Sequence, residues 1–414
     1  MSKLEELIQQ YCPDGVEFKK LDDICFAPFN IKWKNTSEHY EYIDLTSVDI
    51  ATHAIVETTK IDSETAPSRA QQIVKQGDVI FATTRPTQMR VCLIPPKYDG
   101  AICSTGYCVL RPDNKKVLSS FLFYILSIED FKRYLEQKQT MGNYPAISNK
   151  LLKEYAIPVP PLPVQEEIVR VLDTFTELQA ELQAELQARI QQYNYYRDKL
   201  LSFNDLGGGI SVEWKKLGEL GVFYGGLSGK TKDDFTNGNA KFISYKNVFY
   251  NLSLNVDTDE RVKIGEGEKQ NTIQYGDILF TGSSETPDEC GMSSVLTQET
   301  DEKLYLNSFC FGYRLHNPSL FCFDFLKHLF RSSELRKQIG KTASGTTRFN
   351  VSKKRFAEVS IPILPLSVQQ HTADILDRFY ALTTDITAGL PAEIEARHKQ
   401  YEYYRDKLLT FKQK

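Results

Sequence analysis

Tyr195-Tyr196-Arg197-Asp198-Lys199-Leu200-Leu201 returns about half a chain later as Tyr403-Tyr404-Arg405-Asp406-Lys407-Leu408-Leu409. The echo extends outward from this stretch. Ile157-Pro158-Val159-Pro160-Pro161-Leu162-Pro163-Val164-Gln165 returns as Ile361-Pro362-Ile363-Leu364-Pro365-Leu366-Ser367-Val368-Gln369, and Val16-Glu17-Phe18-Lys19-Lys20-Leu21 as Val212-Glu213-Trp214-Lys215-Lys216-Leu217. Gly77-Asp78-Val79-Ile80-Phe81 returns as Gly276-Asp277-Ile278-Leu279-Phe280. A period of roughly 200 residues is far beyond the 20–50 of a solenoid unit. The chain is therefore a whole-domain duplication, with a pseudo-twofold relation and two similar working surfaces expected.

The 414 residues suffice for two or three cored domains, and the composition, 41% hydrophobic and 25% charged, is that of a globular chain. No apolar run reaches the ~20 residues needed to cross a bilayer. The amphipathic start Met1-Ser2-Lys3-Leu4-Glu5-Glu6-Leu7-Ile8 lacks the apolar core of a signal peptide. Eight cysteines with no CxxC pair are expected as free thiols, and the location as cytoplasmic. The net charge of −4 argues against assigning nucleic-acid binding from bulk charge, because such proteins usually carry a basic excess.

Each half runs from a block of short β-branched and aromatic segments into a long helix. The boundaries fall at 1–157 (N-terminal helix and first block), 158–207 (first long helix), 208–361 (second block) and 362–414 (second long helix). Asp78 to Ala82, Tyr107 to Leu110, Asp277 to Phe280 and Phe309 to Tyr313 have strand length and composition. Helical stretches follow at Ser119 to Lys138 and Ser319 to Gln338. Ser367-Val368-Gln369-Gln370 has the spacing of a capping box, and Pro163 fits an early helical turn.

Ile168, Leu172, Phe175, Leu178, Leu182, Leu186, Ile190, Tyr193 and Leu200 form one apolar stripe at helical spacing. Leu376, Phe379, Leu382, Ile386, Leu390, Ile394 and Tyr401 form its counterpart. Two stripes in one chain predict an antiparallel intramolecular pair, with intermolecular pairing as the alternative. Gly389-Leu390-Pro391 should kink or break the second helix. Thr176 to Gln187 holds three successive tetrads of the form x-Glu-Leu-Gln.

The long helix between Pro160-Pro161-Leu162-Pro163-Val164-Gln165-Glu166-Glu167-Ile168-Val169 and Tyr193 to Phe203, with the same pair of signatures at 365–373 and 401–411, resembles the specificity subunit of a type I restriction–modification system. The match covers the whole chain. The resemblance implies an α/β fold with two homologous mixed target-recognition domains, separated by two long α-helices forming an antiparallel coiled coil. It implies a non-catalytic adaptor that reads a split double-stranded DNA site, one half per domain. Two methyltransferase subunits using S-adenosylmethionine would dock beside the helices, and ATP-driven restriction subunits would join them. No cofactor is expected on this chain. In the family, the number of tetrads goes with spacer length. Four residues advance a helix about 6 Å and ~400°, and the surplus ~40° is near the twist of one base pair.

Polar loops are the candidates for DNA contact. Thr83, Thr84, Arg85, Thr87, Gln88 and Arg90 follow a predicted strand; Arg forks onto guanine and Gln onto adenine in the major groove. Their partners in the second half are Ser283, Ser284 and Glu285, where a carboxylate can accept from cytosine. Asn143 and Tyr144 pair with Lys341, Ser344, Thr346, Thr347 and Arg348. Residues 341–355 hold five basic groups and no acid, which suits phosphates. Lys230 is a further candidate. A solvated loop or ordinary charged patch explains each position almost as well. Tyr195, Tyr196, Arg197, Lys199, Tyr403, Tyr404, Arg405 and Lys407 either extend the stripe and solvate it or, as the resemblance implies, dock the methyltransferase.

Gly225 to Thr231 falls one residue short of a phosphate-binding loop. Asp288, Asp301 and Lys303 mimic a nuclease pattern that the first half lacks. The six histidines have no metal-ligand spacing. Neither catalytic nor metal-binding residues are assigned, and catalysis is expected from partners. Two rival readings stand beside this one: a coiled-coil scaffold protein without a DNA role, and a metal-dependent nuclease.

Overall fold

The structure, a computed structural model, describes residues 3–203, 212–385 and 388–414. The 207/208 boundary, Met1-Ser2 and Ile386 of the second stripe lie outside the described residues. The chain forms two compact units. One comprises the chain up to Gln183 together with Glu393–Lys414, and the other spans Ala184–Ala392. The cut falls inside the tetrad run, so each unit takes part of the long helix.

Both units follow one plan, and the repeated residues are its joints. In the first, Val79–Ala82 lies antiparallel between Tyr107–Pro112 and Val91–Leu93, with all four side chains buried. In the second, Ile278–Thr281 lies the same way between Cys310–Leu315 and Ser293–Val295. A second sheet in each is mixed. Tyr40–Ile43 runs parallel to Ile102–Ser104, as Ala240–Ile243 does to Leu304–Leu306. The Val-Glu-aromatic-Lys-Lys repeat pairs with the strand that closes its block: Glu17–Lys20 with Ala156–Val159, and Glu213–Lys216 with Ser360–Ile363.

The Gly-Asp repeat is a turn locked by a buried ion pair. Gly77 and Gly276 have φ of 85° and 84°, where a side chain is strained. Asp78 then takes the Lys75 amide at 2.8 Å and the Arg111 fork at 2.8 and 2.7 Å. Asp277 takes the Gln274 amide at 2.8 Å and the Arg314 fork at 2.9 and 2.6 Å. Both carboxylates are 1% exposed, so removing either arginine would strand a buried charge.

The Val-Gln repeat is a clamp rather than a cap. Helix Leu366–Thr384 already begins at Leu366, with no side-chain cap, so Ser367 is inside the first turn and the expected capping box does not form. Gln369, fully buried, instead accepts from the Cys322 amide at 2.9 Å and donates to the Leu320 and Leu364 carbonyls at 2.9 and 2.8 Å. Gln165 does the same with the Leu118 amide and the Lys116 and Pro160 carbonyls. A buried amide that satisfies three backbone groups outweighs one solvated cap bond.

The helical stretches before these clamps are each two short helices: Ser119–Ile125 and Glu129–Lys138, then Phe323–Leu329 and Ser333–Gly340. Ser332 interrupts the latter pair, its hydroxyl accepting from the Leu335 amide. The first long helix is continuous over Leu162–Leu200. The second is broken: Leu366–Thr384 stops, and Leu390–Leu408 starts beside Gly389 and Pro391. A Cβ on Gly389 would lie 2.6 Å from the Asp385 oxygen.

Within each unit the long helices run antiparallel. In the first, Phe175 stacks on Tyr404 at 5.7 Å and Gln179 meets His398 at 3.4 Å. In the second, Tyr193 meets Tyr380 at 5.4 Å and Tyr196 stacks on Phe379 at 5.1 Å. Position rises on one helix as it falls on the other.

Candidate nucleic-acid interface

In each unit the strand that carries the first candidate loop delivers it against the second. In the first unit Thr84 bridges Ala146, the Arg85 amide donates to the Pro145 oxygen at 2.7 Å, and the Ile147 amide donates to Thr83 at 2.9 Å. In the second unit the contact widens into a three-stranded sheet. Ser283–Ser284 pairs with Phe349–Val351, which pairs with Ala343–Ser344. The Val351 amide donates to Gly282 at 2.9 Å, matching the Ile147 to Thr83 bond. Loops far apart in sequence thus form one edge per unit.

The edges expose different chemistry. The first presents Arg85, Gln88, Asn143 and Tyr144 to solvent, with Thr84, Thr87 and Arg90 half-buried. The Arg90 Nε is buried and has no partner among the described residues. Thr83 is buried, its hydroxyl donating to the Gly106 oxygen at 2.9 Å. The second presents Glu285, Lys341, Ser344, Thr346, Thr347 and Arg348. Ser283 and Ser284 are 6% and 8% exposed and hold the edge together rather than face outward. Glu289 takes the Ser284 and Thr286 hydroxyls, both at 3.0 Å.

Lys230 does not join either edge as an available cation. Its ammonium donates to Glu268 and to the Lys263 oxygen, each at 2.6 Å, with the side chain 9% exposed. Glu268 is held down to about 2, chiefly by its bond to Lys230. An opposite charge brought in from a loop 38 residues away outweighs the glycine-rich pattern that made Lys230 a candidate.

Sequence reasoning missed the residues that shape the second edge. Tyr245–Tyr250, a helix capped by Ser244, brings Tyr245, Lys246 and Phe249 against Glu285, Thr347 and Arg348 around a cleft of about 550 Å³. Arg336 donates to the Gly291, Asp288 and Cys290 carbonyls at 2.6 Å each. Burial lowers its pKa to about 10. The aromatic run Tyr245 to Tyr250 was a usable signal; Arg336 looks like any surface arginine in sequence.

The tyrosine signatures divide by face. Tyr196 and Tyr404 stack inward on Phe379 and Phe175. Arg197 and Arg405 lie over Tyr193 and Tyr401, one turn back. Tyr195 and Tyr403 are 60% and 61% exposed and carry Lys199 and Lys407 over their rings at 5.8 Å each. Each copy turns one tyrosine and one lysine outward, and in the second Tyr404 also keeps 37% of its surface exposed.

The family model described as the type I restriction modification DNA specificity domain matches twice, over residues 13–192 and 211–396. The chain belongs to this specificity family. It is 35% identical over 317 residues to the specificity subunit of an Escherichia coli type I restriction enzyme, covering 72% of each chain. A putative type I specificity subunit of Mycoplasma pneumoniae is 30% identical over 76% of this chain and 89% of its own. Among solved structures, a chain from a study of type I restriction–modification complex assembly and conformational transition aligns with a TM-score of 0.67. It is 23% identical and covers 96% of this chain and 98% of that one. The HsdS subunit of Thermoanaerobacter tengcongensis aligns at 0.52, with 24% identity and coverage of 96% and 97%. The specificity-subunit fold is thus present in two copies, each a mixed sheet-and-helix block followed in the chain by long helix. Among the described residues no helix is long and apolar enough to cross a membrane, and no cluster of three metal-ligating side chains forms. All eight cysteines are free.

Proposed function

We propose that this specificity subunit reads a bipartite double-stranded DNA site, one half-site per unit, and presents it to partner subunits in the cytoplasm. The observation that carries this reading is the doubled edge: the same two loops meet in each unit, but with different side chains outward. Duplicated architecture with divergent polar tips is what two unlike half-sites require. Arg85, Gln88 and Asn143 supply donors for purine edges, Glu285 an acceptor for cytosine, and Lys341 with Thr346 and Thr347 phosphate contacts. Tyr195, Lys199, Tyr403 and Lys407 form the faces on which two methyltransferase subunits dock. Those subunits bring S-adenosylmethionine, and restriction subunits bring ATP; this chain performs no bond chemistry.

The test is a methylome. The chain is co-expressed with its neighbouring methyltransferase in a host lacking adenine methylation, and modified adenines are mapped by single-molecule sequencing. A single split motif supports the reading. An unmodified genome despite a stable purified complex overturns it in favour of a scaffold.

A further inference from the structure

Each unit seats one guanidinium on an aromatic ring where its two loops meet, yet the arginines come from opposite loops. In the first unit Arg85 belongs to the first loop and lies 5.4 Å over the ring of Tyr144 from the second. In the second unit Arg348 belongs to the second loop, lies 5.7 Å over Phe309, and donates from Nε to Ser283 of the first loop at 3.2 Å. The duplication does not demand this, because residues 281–286 and 138–145 contain no arginine. Two unrelated sequence solutions arrive at one local arrangement.

The arrangement is built to hold the fork still. Arg85 sits in the left-handed region at φ 50°, ψ 55°, uncommon for a residue with a Cβ. The hydrogen bond from its backbone N–H to the Pro145 oxygen keeps it there. The guanidinium is exposed, with no hydrogen-bond or ion-pair partner among the described residues. Tyr144 and Phe309 are 74% and 59% exposed, large rings left in water beneath an arginine. Stacking restricts the side chain before binding and so reduces the ordering cost on contact. A planar fork of fixed donors matches guanine O6 and N7 in the major groove.

We infer that Arg85 and Arg348 are specificity-determining residues, each reading one guanine in the half-site of its own unit. This rests on the DNA-reading function proposed above. The full chain, co-expressed with its methyltransferase, is compared with Arg85→Ala, Arg85→Gln, Arg348→Ala and Arg348→Gln by adenine mapping. Each variant should lose the guanine requirement at one position of one half-site, with discrimination there falling about ten- to a hundredfold. The other half-site should stay intact. Tyr144→Ala should relax the Arg85 position in the same direction, and more weakly. An unchanged motif in both arginine pairs overturns the inference and leaves the function standing. So does a uniform fall in methylation across all sites with a salt slope reduced by about one, which assigns the arginines to phosphates. Absence of any split motif from the unaltered chain overturns the function itself.

Discussion

His328 and Tyr124 occupy matched positions in the two units and meet the long helices differently. Tyr124 donates to Asp173 at 2.6 Å. His328, fully buried, lies between Tyr193 at 2.9 Å and Asp377 at 2.7 Å, with Lys327 bonded to Asp324 and Asp377 alongside and the Tyr380 ring 6.2 Å away. Burial holds its pKa below the ordinary 6.5, against the pull of Asp377 and with the help of Lys327. An unfolded chain takes up a proton near pH 6.5 that the native site refuses. The unfolded state therefore binds more protons below that pH, and stability falls as pH drops through 6.5 toward the native value. Above it the contribution is constant. His53 acts with the same sign in the first unit. His328→Gln, which can keep both bonds, should flatten part of the decline in melting temperature between pH 7.5 and 5.5. Superimposable curves would remove His328 as a source.

The helix signatures separate two jobs by helical face. Tyr196 and Tyr404 stack on phenylalanines with interplanar angles of 13° and 20°. Tyr196→Ala should cost roughly 2 kcal/mol in chemical denaturation, from lost area plus ring–ring contact, and Tyr404→Ala, whose ring is 37% exposed, about half of that. Tyr195→Ala and Tyr403→Ala should stay within about 0.5 kcal/mol of the parent. On the proposed function they should instead weaken capture of the methyltransferase subunit in a titrated pull-down. Unaltered capture by the Tyr195→Ala, Tyr403→Ala double variant would remove the docking role. The repeat pointed to all eight positions as a group; only the antiparallel partner helix in each unit sorts inward from outward.

For the whole molecule, the tetrad run is where the two compact units divide, at Gln183. Leu178 and Leu186 are half-buried and Leu182 is 8% exposed, while Glu177, Glu181 and Glu185 face solvent. Deleting Ala180-Glu181-Leu182-Gln183 removes one period and leaves the stripe in phase. On the proposed function both half-sites should remain, with spacer length alone altered in the methylome. Changed half-site bases after this deletion would sink the idea that the helix measures spacing.

Much of the fold was legible in the chain because duplication and periodicity are properties of sequence. The repeat identified two like domains, the apolar stripe identified the long helices, and Gly389-Leu390-Pro391 marked the break. The repeated Gly-Asp and Val-Gln pairs were visible too, but their work was not. Arg111, Arg314 and the Lys116 and Leu320 carbonyls that Gln165 and Gln369 satisfy lie 30–50 residues away, and only folding brings them within 3 Å. The candidate loops divided in the same way. Their polar residues were readable, whereas exposure was not, since Lys230 and Ser283 turn inward while Arg85 and Arg348 stay out. Local composition sets which side chains are offered. The backbone pairing of distant segments decides which of them solvent can reach.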